Sequence, residues 1–271
     1  MLVGSACMVI NDALIKLATQ SIPVSQVIFV QGLCMMILLV AIAVAMRIPL
    51  RANFFTDRIV LLRSALNAPG LFTFVAALKH MPLANAIAIG MATPLMASLL
   101  AVFIFNEKVS GARWLAMTAG LAGTLLIVQP ASDEFNAWSL VVLVGSFFGA
   151  CRDVATRSVR KDIPSLVLTI GAVVVMTMCA GAGGLAEDWR LLSLPQIAVL
   201  AAASAFLCSS FFLATVAMRE GEFAVLGPIR YSTLIFGALL GYGIWGDIPG
   251  FVALCGMVLT VLAGLCLVRL R

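Results

Sequence analysis

Long apolar runs, each stopped by a short cluster of charge, Pro or Gly, succeed one another along the whole chain. Ten of them are candidate helices, near 1–20, 24–46, 59–78, 83–105, 111–129, 138–158, 165–186, 195–218, 222–245 and 250–268. A membrane span needs about 20 mostly apolar residues, so ten spans with short loops use the full length. The breaks are short and polar, as at Ser21-Ile22-Pro23, Lys79-His80-Met81-Pro82 and Gly246 to Pro249. The pattern predicts an all-α membrane protein with ten transmembrane helices.

Composition removes the other classes. Of 271 residues, 63% are apolar and 11% charged, against roughly 45–50% and 25% in soluble domains. Too few charges remain to cover a water-soluble surface, and disordered chains are charge-rich and apolar-poor. The seven cysteines lie in apolar runs without a CxxC pair, as small buried hydrophobes do. One histidine, His80, excludes a multi-His metal site. No P-loop, Ser-His-Asp set, GxSxG or HExxH is present, so neither an enzyme nor a cofactor is expected. The N-terminal run carries Asp12 and Lys16 and has no basic lead-in, unlike a cleavable signal.

The charges sort by side. With the N-terminus in the cytoplasm, the even-numbered breaks and the C-terminus hold Arg47, Arg51, Arg58, Lys108, Arg113, Arg157, Arg160, Lys161, Arg219, Arg269 and Arg271, while the odd-numbered breaks hold only Lys79 and Arg190. Positive residues stay inside, so both termini are expected in the cytoplasm. The same sorting explains the net charge of +5 without nucleic acid. Lys16, Arg63, Arg152 and Arg230 are left in or beside the spans, where Arg63 is expected to snorkel to the cytoplasmic face with Glu107 as its partner.

An internal repeat organises the spans. Gly4-Ser5, Asp12 and Lys16 recur as Gly145-Ser146, Asp153 and Arg157, and Ile22-Pro23 recurs as Ile163-Pro164. A near-identical shift carries Lys79 onto Arg219, Phe105 onto Trp245 and Glu107 onto Asp247. The expected units are 1–129 and 137–271, joined by 130–136. Five spans per unit is an odd number, so the second unit enters the membrane from the opposite side. Inverted repeats of this kind are the mark of secondary transporters with a site near the midplane. Symmetry also puts the start of helix 1 a few residues before Met1, which implies a preceding tail.

Ionisable residues at mid-membrane are costly and mark candidate sites. Arg230 lies roughly 12 Å into helix 9 at 1.5 Å per residue, after Gly227-Pro228 and before Tyr231, Ser232 and Thr233. A guanidinium beside a ring and hydroxyls suits a carboxylate ligand; the alternative is an internal pair with a carboxylate such as Asp12. Asp12–Lys16 and Asp153–Arg157 are i,i+4 pairs in the favoured order. Three roles stay open for them: local neutralisation, gates at opposite mouths, or proton coupling through Asp12. Asn11, Asn67, Thr93 and Ser209 are further candidates for touching a substrate. Pro69, Pro94 and Pro228 mark helix breaks where a rocking bundle bends. Lys79 and His80 lie at the outer mouth, and the four tryptophans fall at span ends as interfacial anchors.

Two stretches carry a family resemblance: Pro94 to Gly120 in the first unit and Leu239 to Gly256 in the second, each with an acidic residue after the fourth helix. Together with ten spans in two inverted fives, they resemble the EamA-type drug/metabolite transporters, and within them the bacterial amino-acid exporters of the YddG kind. The resemblance implies a central cavity lined by helices 1, 3, 4, 6, 8 and 9, with helices 5 and 10 peripheral. It implies export of small polar metabolites, amino acids (aromatic ones included) foremost, across the bacterial inner membrane by alternating access. The expected partners are a small-molecule substrate and the lipid bilayer, with no nucleic acid and a monomeric state. Rival readings are efflux of hydrophobic cations, a membrane scaffold or an intramembrane enzyme.

Overall fold

The computed structural model describes residues 2–105, 110–129, 136–160, 162–220 and 232–269. Among them every regular element is a helix: α1 (Leu2–Thr19), α2 (Val24–Ala45), α3 (Ala52–Phe55), α4 (Arg58–Leu78), α5 (Leu83–Gly90), α6 (Ala92–Phe105), α7 (Gly111–Val128), α8 (Ala137–Arg157), α9 (Ser165–Gly183), α10 (Leu194–Glu220), α11 (Ser232–Trp245) and α12 (Phe251–Arg269). Seven stretches, Leu83–Phe105 across α5 and α6 among them, are long and apolar enough to cross a membrane. Trp114–Val128, Ser232–Trp245 and Phe251–Cys266 are shorter apolar helices. The chain is an all-α, multi-pass membrane protein.

Local chemistry sets several boundaries. Asp57 caps α4 by accepting from the Ile59 and Val60 amides at 2.9 and 3.3 Å, and Asn136 caps α8 by accepting from the Trp138 amide at 2.9 Å. The fourth apolar run, expected as one helix over 83–105, is broken at Met91 into α5 and α6. Pro94 explains the break, since it has no N–H for the Gly90 carbonyl and its ring crowds that oxygen. Pro69 sits inside α4 without ending it; the Thr73 hydroxyl donates to the Pro69 and Gly70 carbonyls nearby. The four-residue α3, absent from the sequence reading, packs Phe54 against Val60, Ile163, Val167 and Leu168.

Packing repeats itself across the two halves. In span order α5 and α6 together count as the fourth, and α7 to α12 as the fifth to tenth. The third span packs on the sixth, as the first packs on the eighth. The fourth packs on the sixth, as the ninth packs on the first; the third packs on the seventh, as the eighth packs on the second. The second and seventh face each other, and so do the fifth and tenth. Exchanging each span with the one five places away leaves these pairings unchanged, as a pseudo-two-fold axis requires. Outward faces are apolar: Leu33, Ile37, Val40 and Val44 form an exposed stripe along α2, while Val27, Ile28, Gln31 and Met35 point inward. The end of the bundle at which α1 begins is called proximal below, and the opposite end distal.

Candidate functional site

A cavity of about 760 Å³ opens at the distal end. Phe72, Thr73 and Ala76 of α4 and Val141 of α8 line its depth; Lys79, His80, Trp138, Glu187, Asp188 and Arg190 ring its mouth. Lys79 and His80 thus lie at the mouth of a cavity. His80 has a partner in Trp138, whose ring stacks on the imidazole at 4.1 Å between centroids and 10° between planes. One wall is the α9–α10 connection, folded onto the start of α2. The Glu187 carboxylate accepts from the Ser25 amide at 3.1 Å and the Ser25 hydroxyl at 2.6 Å. Trp189 Nε1 donates to the same hydroxyl at 2.8 Å. Gln26 donates to the Arg190 carbonyl at 2.6 Å and accepts from the Arg190 amide at 3.2 Å, pairing side chain to backbone as two strands would.

Toward the proximal end, α4 and α8 close on each other. Gly145 gives way to Thr73, and a Cβ at Gly149 would sit 3.1 Å from Thr93 Cγ2. Small residues on α8 thus let α4 and the start of α6 approach its backbone. One turn further, Arg152 spans the seam: Nη1 donates to Asn67 Oδ1 at 2.9 Å, while Nε and Nη2 donate to Asp153 Oδ1 at 3.0 and 2.8 Å. The expected Asp153–Arg157 pairing is thus replaced, for Asp153, by its sequence neighbour, because Arg152 approaches the carboxylate with two N–H groups at once. Arg157 makes contacts of its own. Arg63 does not snorkel outward; Nε donates to the Thr156 hydroxyl at 2.9 Å and Nη1 to the Leu168 carbonyl at 2.9 Å, tying α4 to α8 and α9. Glu107 lies outside the described residues.

A second polar group surrounds α1. Gln31 Nε2 donates to Asn11 Oδ1 at 2.7 Å, and Asn11 Nδ2 donates to Asp12 Oδ1 at 3.0 Å. The amides form a relay that ends on a buried carboxylate, and the Ser204 hydroxyl donates to the Gln31 carbonyl at 3.2 Å. The expected Asp12–Lys16 pair is not what Lys16 makes. Its Nζ donates to the Met81 carbonyl at 2.9 Å, lies 3.4 Å from Asp247 Oδ2 and sits 4.5 Å from the centre of the Trp245 ring. Three partners from other elements outcompete a single i,i+4 contact. Trp245 and Trp189, expected only as interfacial anchors, both make specific contacts here.

The remaining candidates divide. Thr93 joins the α4–α6–α8 meeting point. Ser209 is exposed between buried Cys208 and Ser210. Thr233 is buried, and the Ser232 hydroxyl is buried with no hydrogen-bond partner among the described residues. Pro228, Arg230 and Tyr231 lie outside the described residues. Arg152, left inside a span without a role, and Gln31, Glu187 and Asn85 were not among the expected site residues. Arg152 carried a usable signal, as an ionisable residue inside a span. Asn85 on α5 carries a buried oxygen, Oδ1, with no partner among the described residues, which a ligand donor would satisfy.

Known proteins resemble the chain along most of its length. The pseudopaline exporter CntI of Pseudomonas aeruginosa is 24% identical, covering 97% of this chain and 92% of its own. A riboflavin transporter of Rhizobium johnstonii is 26% identical over 77% of this chain and 69% of its own. An S-adenosylmethionine uptake transporter of Rickettsia bellii is 25% identical over 77% and 71%. A solved crystal structure superposes with a TM-score of 0.67 at 19% identity, covering 100% of this chain and 97% of the other, and so shares the fold. Residues 1–129 match the EamA-like transporter family.

Proposed function

We propose that the protein is a secondary or facilitative transporter that exports small polar metabolites, amino acids including aromatic ones foremost, by alternating access. The observation that carries this reading is asymmetry between the two ends. The bundle opens distally through the 760 Å³ cavity, whereas proximally Arg63 and Arg152 bridge α4, α8 and α9. A pseudo-symmetric bundle open at one end has a second state of similar energy in which the ends exchange roles. The near full-length similarity to an exporter supports the direction. The units are 1–129 and 137–271, joined by 130–136, acting as a monomer in the bacterial cytoplasmic membrane. Both termini lie in the cytoplasm by the sorting of positive charge, which makes the distal end the outer one.

Within this reading Lys16 and Asp247, paired in this distally open state, neutralise each other locally at the outer end, and Asp153, with Arg152, belongs to the inner tie. Asp12, at the end of the Gln31–Asn11 relay, is the coupling residue, and Arg230 with Tyr231 lies on the substrate path. Proteoliposome flux across a panel of amino acids, lipophilic cations and sugars, at several pH values, tests the reading. Amino-acid flux is expected, with a pH dependence that Asp12→Asn flattens. Flux of lipophilic cations alone, or of nothing, overturns the substrate class; a pH profile unchanged in Asp12→Asn removes the coupling role.

A further inference from the structure

Arg152 and Asp153 lie inside α8, roughly 6–8 Å from its proximal end at 1.5 Å per residue, yet their side chains remain 31% and 42% exposed. That exposure is not toward lipid. The lipid stripe of α8 is Leu140, Val144 and Phe147. At 3.6 residues per turn, Asp153 stands on the opposite row, with buried Val142 and Ser146, and Arg152 stands on the row of buried Gly145. Charged side chains that are accessible on the interior face of a span line a water-filled path.

The charge balance of this path is uneven. Both guanidinium bonds to Asp153 fall on Oδ1, and the third bond of Arg152 goes to a neutral amide. Arg63, close enough to feel both Arg152 and Asp153, donates to the Thr156 hydroxyl and the Leu168 carbonyl. One carboxylate thus stands against two guanidinium groups in this contact set. The N-terminus of α6, brought to α8 by the Gly149–Thr93 contact, adds partial positive charge.

We propose that Arg152 is a carboxylate-binding residue of the transport path. The carboxylate of the ligand takes the place of Asp153 on the Nε–Nη2 edge, Asn67 holds Nη1, and the released Asp153 receives the ligand's ammonium. The substrate is then a zwitterion that exchanges one ion pair for another, leaving no buried charge without a partner. This assignment rests on the transport reading and narrows it to carboxylate-bearing amines.

The test uses purified full-length protein in detergent and reads the ligand-induced rise in unfolding temperature as an apparent affinity. The probes are the common L-amino acids, their carboxamides and the matching amine-free carboxylic acids. At least one amino acid is expected to bind, with its carboxamide about tenfold or more weaker, as loss of a charge-assisted contact implies. Arg152→Gln is expected to lose amino-acid binding. Asp153→Asn, which frees the guanidinium, is expected to bind the amine-free acids about tenfold or more tightly than the unaltered protein does. That gain separates the assignment from simple misfolding. Equal binding of carboxamides, undiminished binding by folded Arg152→Gln, no gain in Asp153→Asn, or no amino acid bound at all would each overturn it. Parallel flux measurements separate the two levels: binding without flux removes transport and leaves the role of Arg152, whereas flux unaffected by Arg152→Gln removes Arg152 and leaves transport.

Discussion

Lys16 reaches away from its own helix to Asp247, 3.4 Å distant, while Asp12, one turn behind it, is left to the Asn11 amide. The contact joins the end of α1 to the end of α11, and the Met81 carbonyl adds the α4–α5 connection. Lys16→Met strands a half-buried carboxylate and removes the contact with Trp245. A loss of about 1–3 kcal/mol is expected in unfolding. The double variant Lys16→Met, Asp247→Asn should recover part of it, since no charge is left behind; a double variant no better than the single one contradicts the pairing.

Glu187 supplies α2 with the cap that Pro23 lacks, since Pro23 makes no side-chain capping bond. Glu187→Ala is expected to cost about 1 kcal/mol, as lost caps do. Hydrogen exchange should rise over 24–27 and 185–190 and not elsewhere. Glu187→Gln keeps an acceptor and loses only the favourable charge at a helix start, so a smaller loss, about 0.3 kcal/mol, is expected.

The α7–α12 seam has no room for side chains. A Cβ at Gly256 would stand 2.6 Å from the Gly123 carbonyl oxygen, and one at Gly123 would stand 2.9 Å from that of Gly256. Gly256→Leu should therefore destabilise by about 1–3 kcal/mol or more through overpacking. No cavity-lining residue comes from α7 or α12, so flux per folded molecule should hold. Thermal unfolding and flux on the same preparation check both halves of the expectation.

Ala76 lines the cavity between Thr73 and Lys79. Ala76→Trp places a large ring in that space without entering the packed seam. A fall in flux of about tenfold or more is expected, which corresponds to roughly 1.4 kcal/mol in effective binding, with the unfolding temperature kept. Unimpaired flux in this variant places the route elsewhere.

Much of the bundle was legible in the chain because lipid imposes long apolar runs, and those runs are visible one residue at a time. The repeat was legible because polar residues inside spans are rare enough for Gly4-Ser5, Asp12 and Lys16 to align with their counterparts. Pairings were harder. Spacing along α1 and α8 predicted partners for Asp12 and Asp153 on their own helices. Lys16 instead chose Asp247, 231 residues away, and Arg152 approached Asp153 from the adjacent position. Local periodicity describes one helix, whereas buried Lys16 takes the best partners that several elements bring to it, and on α8 the i,i+4 spacing overlooks the adjacent position. The break at Met91 was readable in part, since Pro94 had been marked as a bend; the strap formed by Glu187, Trp189 and Arg190 was not, because loop residues carry no periodic signal.

Arg152 and Asp153 are neighbours on one helix, and they hold opposite charges. Any rocking motion of α8 carries both through the same part of the membrane field, so the work done on one cancels the work done on the other. Each unpaired elementary charge moved across 100 mV involves about 2.3 kcal/mol, whereas this couple, empty or exchanged for a zwitterion, involves almost none. The couple therefore adds almost nothing to the voltage dependence of the step that exposes it, and what dependence α8 has is left to Arg157 at its proximal end.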